Sequence, residues 1–383
     1  KHIKGKLIKN TTAQVLSHYT CAQHRLYLAA SESLKVNAFD FHLDSFIKMF
    51  LKDDKYHDME VKAPRCIQFR NKRYGLLLAK YLQPIEKEVY QWTDSSDTPI
   101  FAKGRNLSQR ANDIITKWNS IANPVAILAD HSKFDAHVNK TLLKLEHGFY
   151  VDMYQGDWFL KKLLKTQLVN QGYTNNGTKF ITQGTRMSGD QNTGLGNSII
   201  NYAMIQAWLN KAQVLGHLYI DGDDSVIIIS GDDLHKMDLN YFEMWGMKTK
   251  FDYAFIPEHI EFCQTRPVYD GVNWHCVRNP HRALARLPWL TRKNNLSCLP
   301  RYIKSLGMCE VALNLGLPVM QAIGTKLMDR GKGKYLVTDL HYQAKQEYIK
   351  PWNVKPLPIR DVTRESYYLA WDITPGEQME LEA

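Results

Sequence analysis

HLYIDGDDSVIII, residues 217–229, decides the fold: a short apolar run enters Asp221, Gly222, Asp223 and Asp224, and a continuous apolar run leaves after Ser225. Asp-Gly is a preferred two-residue hairpin turn, so the stretch predicts a β-hairpin. The exit run is long enough to be buried on both faces. By itself such a turn needs its acids only for shape and solvation. The chain carries its own control, because a second Gly-Asp-Asp at Gly231, Asp232 and Asp233 has no strand after it and reads as a loop or helix N-cap before a helix near Tyr241.

The first Gly-Asp-Asp gains weight from residues 125–130, another apolar strand that ends in an acid, Asp130. Two buried strands ending in carboxylates can place Asp130 and Asp223 side by side, where like charges repel unless a divalent cation neutralises them. An oxygen-only donor set suits Mg²⁺ or Mn²⁺ rather than zinc. Five residues on, Asp135 opens a helical stretch predicted over 136–145, where a helix N-cap is the competing role.

Residues 172–213 read as a Gly-rich loop followed by a long helix. Ser188, Gly189 and the glycines at 184, 194 and 196 give a backbone able to approach a ligand closely. Thr193, Asn197 and Asn201 recur at i, i+4 and i+8, forming one polar stripe on an otherwise apolar helix. Such a stripe needs partners, either internal hydrogen bonds or a nucleotide sugar. Upstream, residues 42–73 interleave Lys48, Lys52, Lys55, Lys62, Arg65, Arg70, Lys72 and Arg73 with Asp53, Asp54, Asp58 and Glu60. Mixed charge fits a solvated surface, and Pro64 excludes one continuous helix; extended basic arms would equally suit phosphates.

The chain of 383 residues is long enough for two or more subdomains, and 44% hydrophobic with 23% charged residues excludes wholesale disorder, a collagen repeat or a coiled coil. A net charge of +10 suits a protein that handles a polyanion. No apolar run approaches the length of a bilayer span. Six cysteines lie scattered without a CxxC pair, so reduced thiols are expected rather than zinc ligands or disulfides. The chain begins at Lys1 and reads as a section of a longer product.

In order, these segments resemble the signatures of viral RNA-dependent RNA polymerases, most closely those of tombusvirus-like positive-strand RNA viruses. The basic segment 48–73 resembles motif F through Lys52, Lys62, Arg65 and Arg70, although Asp54 and Phe69 stand where the group usually has Glu and Pro. ADHSKFD resembles motif A through Asp130 and Asp135, SGDQNTGLGN resembles motif B, and YIDGDDS motif C. Residues 242–250 resemble motif D, and Phe262, Cys263 and Gln264 motif E, with a further likeness over 267–280. In isolation, 262–264 would read as an ordinary strand.

The resemblance implies an α+β right-hand fold with an antiparallel palm sheet. Residues 1–124 and 150–182 would be fingers, 125–149 and 183–280 palm, and 281–383 thumb. It further implies template-directed RNA synthesis from NTPs, with Asp130, Asp223 and Asp224 holding two Mg²⁺ or Mn²⁺ ions. Lys52, Lys62, Arg65 and Arg70 would meet the triphosphate. Asp135, Ser188, Gly189, Thr193 and Asn197 would position the nucleotide and template, and Lys248 or Lys250 would protonate pyrophosphate. Expected partners are the RNA template and product strand, NTPs, and other viral replication proteins that carry a membrane anchor. The expected location is the host cytoplasm, in membrane-associated replication complexes reached through a partner or an upstream segment. A non-catalytic RNA-binding protein would fit the charge, and a Mg²⁺-dependent nuclease or phosphatase would fit the carboxylates. The first gives no reason for acids at the strand ends and the second none for the Thr193, Asn197, Asn201 stripe, whereas a reverse transcriptase shares the palm but needs a site that excludes the 2′-hydroxyl.

Overall fold

The alternating faces of the two apolar runs build the centre of the molecule, seen in a computed structural model that describes residues 7–52, 63–289, 296–336 and 354–383. Its strands in chain order are β1 (Ile47–Leu51), β2 (Cys66–Phe69), β3 (Pro124–His131), β4 (Val169–Thr174), β5 (Lys179–Gln183), β6 (Gly216–Asp221), β7 (Asp224–Ser230), β8 (Thr249–Ala254), β9 (Thr265–Tyr269) and β10 (Trp274–Arg278). The predicted hairpin is β6–β7, and it joins β3 and β8 in an antiparallel sheet of order β6-β7-β3-β8.

Val226 to Ile229 are wholly buried because helices cover both faces of this sheet. Ile227 and Ile229 point with Ile127 into a core shared with Ile205, Trp208 and Leu209 of the helix Thr193–Ala212. Val226 and Ile228 point the other way, toward Ile114 and Trp118 of the helix Leu107–Asn119 and toward Phe262. A period of two along a strand thus feeds two cores. Each such side chain contributes roughly 1.5–3 kcal/mol by leaving water.

A second sheet, of order β2-β1-β4-β5, combines strands from two distant stretches, with β1 parallel to β4 and the other pairs antiparallel. The hairpin β4–β5 replaces the first part of the expected Gly-rich loop. The misleading residue is Gly172, where an added Cβ would lie 2.6 Å from the Ile47 carbonyl oxygen and 2.6 Å from the Phe180 ring. Its lack of a side chain serves close strand packing.

The helix expected over 136–145 is also divided. A single turn, Phe134–His137, stops at Val138, and a new helix, Lys140–Met153, starts where the Asn139 side chain accepts from Thr141 N and Leu142 N. Asn139 is the stronger N-terminal signal. Beyond β10, the helices Leu299–Leu313 and Met320–Arg330 cross at Gly307, where a Cβ would meet the Gly324 carbonyl oxygen at 2.5 Å. Among the described residues, no helix is long and apolar enough to cross a membrane.

Candidate active site

The β6–β7 turn is a two-residue connection, with Asp221 paired to Asp224 and Gly222 at φ 71°, a value that glycine adopts without strain. The helix Thr193–Ala212 grips this turn by its backbone. Ser198 Oγ accepts from Gly222 N at 2.9 Å, and Asn201 Nδ2 donates to the carbonyl oxygens of Gly222 and Asp223 at 3.2 and 3.1 Å. Buried His131 lies 3.2 Å from Asn201 Oδ1 through Nε2 and 2.8 Å from Thr249 Oγ1 through Nδ1, tying the ends of β3 and β8 to the same helix. Desolvation pushes its pKa down to about 4, so the ring is neutral near pH 7.

On β3, Ala129 pairs with Ser225, and Asp130 is the next residue, exposed between buried Ala129 and His131. The ladder with β8 puts Asp130 opposite Lys250. Asp130, Asp221, Asp223 and Asp224 are close enough to repel one another. The tips of Asp223 and Asp224 reach water, but protein crowds them from behind. That partial desolvation, reinforced by Asp135, Asp130 and Asp221, raises the Asp223 pKa. Partial desolvation and then the Asp223 charge push Asp224 up to about 6. Among the described residues, no group of three or more His, Cys, Asp or Glu side chains forms a ready-made metal cage. The donors are nevertheless all carboxylate oxygens, whose mutual repulsion a hard divalent cation would relieve, so the residues fit Mg²⁺ or Mn²⁺.

Asp135 does not cap a helix; that place belongs to Lys133, which makes no side-chain cap bond. The half-buried Asp135 carboxylate instead accepts from Asn197 Nδ2 at 2.8 Å. Burial raises the Asp135 pKa, and the Asn197 bond opposes that rise. Thr193 turns inward, its hydroxyl donating to the Met187 carbonyl oxygen at 3.0 Å. The polar stripe therefore meets three different things: its own loop, the motif A acid and the β6–β7 turn.

The loop before this helix docks on β2. Ser188 Oγ donates to the Cys66 carbonyl oxygen at 3.3 Å, and Gly189 N donates to the Gln68 carbonyl oxygen at 2.7 Å. A Cβ at Gly189 would meet that oxygen at 2.7 Å, so the close approach expected toward a ligand is made toward protein. Arg70 is likewise corrected: it is only 4% exposed, paired with buried Asp190 and Asn170 and stacked over Tyr74, and so does not face a triphosphate. Lys52 and Arg65 are exposed where their backbones join across β1 and β2, Lys52 N donating to the Arg65 carbonyl oxygen at 2.9 Å. Lys62 lies outside the described residues. Lys248 is exposed just before β8.

Residues 262–264 form a tight turn rather than a strand, with Cys263 at φ 50° and Gln264 at φ 61°. The turn sets the Cys263 thiol beside Asp224, and burial followed by the Asp224 charge pushes the thiol pKa up. Sequence reasoning passed over Arg110, whose Nη2 donates to Asp221 Oδ2 at 2.9 Å. It also passed over Ser198, His131, Arg186 and Glu146. Of these, Arg186 and Ser198 flank the motif B stretch 188–197 and His131 stands beside Asp130, but only contact geometry reveals their use.

The family described as "Viral RNA dependent RNA polymerase" matches residues 1–383. The chain is 34% identical to an RNA-directed RNA polymerase of Tobacco necrosis virus (strain A), over 97% of the chain and 53% of that protein. It is 32% identical to those of Melon necrotic spot virus, over 97% of the chain and 48% of the relative, and Red clover necrotic mosaic virus, over 99% and 51%. The chain thus spans about half the length of these curated relatives.

Proposed function

We propose, on the premise that the chain belongs to the viral RNA-dependent RNA polymerase family, that it extends an RNA strand from NTPs on an RNA template. The observation that carries this reading is the convergence at one sheet end of Asp130, the Asp223–Asp224 turn and the Asp135–Asn197 pair. A nuclease would require the carboxylates but not the sugar-sized amide and acid beside them. A non-catalytic RNA binder would require neither.

In this reading β3, β6, β7 and β8 form a palm within 125–149 and 183–280. The second sheet belongs to fingers drawn from 1–124 and 150–182, and the helices after residue 280 form a thumb. Asp130, Asp223 and Asp224 would hold two divalent ions, which supply activation of the 3′-hydroxyl and neutralisation of the departing pyrophosphate. Arg65 and Lys52 offer exposed charge to the triphosphate, with Lys62 assigned to the same task by its sequence position. Lys250, on the same face as Asp130, is the better placed proton donor to pyrophosphate. Ser198 and Asn201 hold the turn still, and His131 stays neutral among them, so the carboxylates need not reorganise during transfer. Asp135 and Asn197 together offer an acceptor and a donor to a ribose 2′-hydroxyl. We further infer that membrane attachment in host cells comes from partner replication proteins or from an upstream segment.

The test is to incubate the purified chain with an RNA template, Mg²⁺ or Mn²⁺, and either NTPs or dNTPs. Template-length product from NTPs is expected. Product from dNTPs alone would indicate a reverse transcriptase, shortened template a nuclease, and bound but unchanged RNA a binding protein.

A further inference from the structure

Among the described residues outside the carboxylate cluster, a buried polar network surrounds Arg186, a residue with no assigned role and 3% exposure. Its guanidinium forks against the buried Glu146 carboxylate through both Nη atoms, and Asn192 Nδ2 donates to Glu146 Oε1 at 2.7 Å. Burial alone would raise the Glu146 pKa; Arg186, with His147 and Asn192, more than offsets this and holds it below the usual carboxylate range. The remaining donor, Arg186 Nε, goes to Asn197 Oδ1 at 2.9 Å. The Arg186 backbone N donates to the Asp135 carbonyl oxygen at 2.8 Å, so one residue touches both members of the sugar-facing pair.

The surrounding chain gives up local stability for this placement. Thr185, a β-branched residue, sits at φ 64°, in the left-handed region that such side chains disfavour, while its N donates to the Val138 carbonyl oxygen at 2.8 Å. Gly196 lies inside the helix Thr193–Ala212, where glycine is a poorer helix former than alanine. A Cβ there would collide with both Glu146 and Arg186. Backbone strain and a helix-interior glycine are thus spent on one buried arginine.

The consequence lies in polarity. An amide can present either its oxygen or its nitrogen, and Arg186 can only donate. With Oδ1 committed to Arg186, Nδ2 must face Asp135, and it does, at 2.8 Å. No described residue bonds to the second Nδ2 hydrogen or to Asp135 Oδ2. We propose that Arg186 is a positioning and specificity-determining residue, fixing Asn197 so that the pair offers a 2′-hydroxyl one donor and one acceptor. The proposal rests on the polymerase reading given above. A site with this polarity accepts ribose because the hydroxyl can receive from Asn197 and give to Asp135. A deoxyribose would leave the second Nδ2 hydrogen and Asp135 Oδ2 unpaired.

The test compares kcat/KM for an NTP and its matching dNTP in the unmodified protein, in Asn197→Ala, in Arg186→Lys and in the charge-balanced pair Arg186→Gln with Glu146→Gln. Lysine keeps the charge opposite Glu146 but has no second donor in the Nε direction. Both Arg186 variants should lower the NTP-to-dNTP ratio about tenfold while dNTP use changes less than about threefold. A merely structural role would depress both nucleotides equally, and that outcome, or an unchanged ratio in a folded variant, overturns the proposal. Failure of the unmodified chain to incorporate NTP would defeat the polymerase reading itself. A ratio unmoved by Asn197→Ala would defeat the sugar pair. A ratio moved by Asn197→Ala but by neither Arg186 variant defeats this inference alone. Should neither variant melt cooperatively, NMR of the unmodified protein decides. A slowly exchanging Arg186 Nε proton with a cross-peak to the Asn197 amide supports the proposal, and a freely exchanging one overturns it.

Discussion

Asp130 and Lys250 face each other across the β3–β8 ladder as direct antiparallel partners. Such partners project from the same face of the sheet, so the ammonium of Lys250 and the carboxylate of Asp130 share one side of the strand end. Lys248 lies before the strand, its carbonyl oxygen accepting from Ser132 N at 2.8 Å. Lys250→Ala should therefore lower kcat by about 10²-fold, the scale of general acid catalysis, with Lys248→Ala having a much smaller effect. Single-turnover rates of the two variants check this, and the reverse order would transfer the role to Lys248.

The two Gly-Asp-Asp sequences should part company under mutation. Asp223→Asn should abolish incorporation. Asp232 accepts from Asn123 Nδ2 at 3.0 Å and Asp233 pairs with Lys236 at 2.6 Å, both in a 3₁₀ helix away from the turn. Asp232→Asn and Asp233→Asn should keep most activity; comparable losses from both pairs would refute the assignment of the first.

Arg65 and Arg70, five residues apart, should separate binding from folding. Arg65 is exposed, and Arg65→Ala should raise KM for NTP while costing far less stability than Arg70→Ala. Removing Arg70 strands the buried Asp190 carboxylate, a loss of about 3–5 kcal/mol for a buried ion pair. Chemical denaturation of Arg70→Ala, beside steady-state kinetics of Arg65→Ala, distinguishes them; a stable Arg70→Ala with raised KM would restore its phosphate role.

Glu86 provides a pH signature remote from the site. Burial pushes its carboxyl up to about 7, with Lys103 and His18 only partly opposing. A carboxyl raised above its unfolded value of 4.5 favours the protonated folded state, so its contribution is complete below pH 4.5 and is lost as pH rises through 7. Glu86→Gln should raise the melting temperature by roughly 2 °C at pH 8 and leave it nearly unchanged at pH 5. Equal shifts at both values would show that the carboxyl is ionised throughout.

The hairpin was legible in residues 217–229 because an Asp-Gly turn and a doubly buried run are both local signals. Asp130 was legible for the same reason, as the acid that ends an apolar strand. Gly189 misled, since a glycine fits a ligand contact and a strand contact equally well and the sequence does not show what approaches it. Arg70 misled because its neighbours are basic and solvated, whereas its partners Asn170 and Asp190 are about a hundred residues away. Arg110 and Arg186 carried no motif, and their roles come from single distant contacts.

Ser198 and Asn201 hold the β6–β7 turn by the amide and carbonyl groups of Gly222 and the carbonyl of Asp223, never by a carboxylate. Charge and shape are therefore separately removable here. A chain with neutral residues at 223 and 224 would keep the contour of the turn, and with it the surface offered to template and nucleotide. Such a chain would be a decoy: able to occupy a template end and exclude an active copy, and unable to move along it.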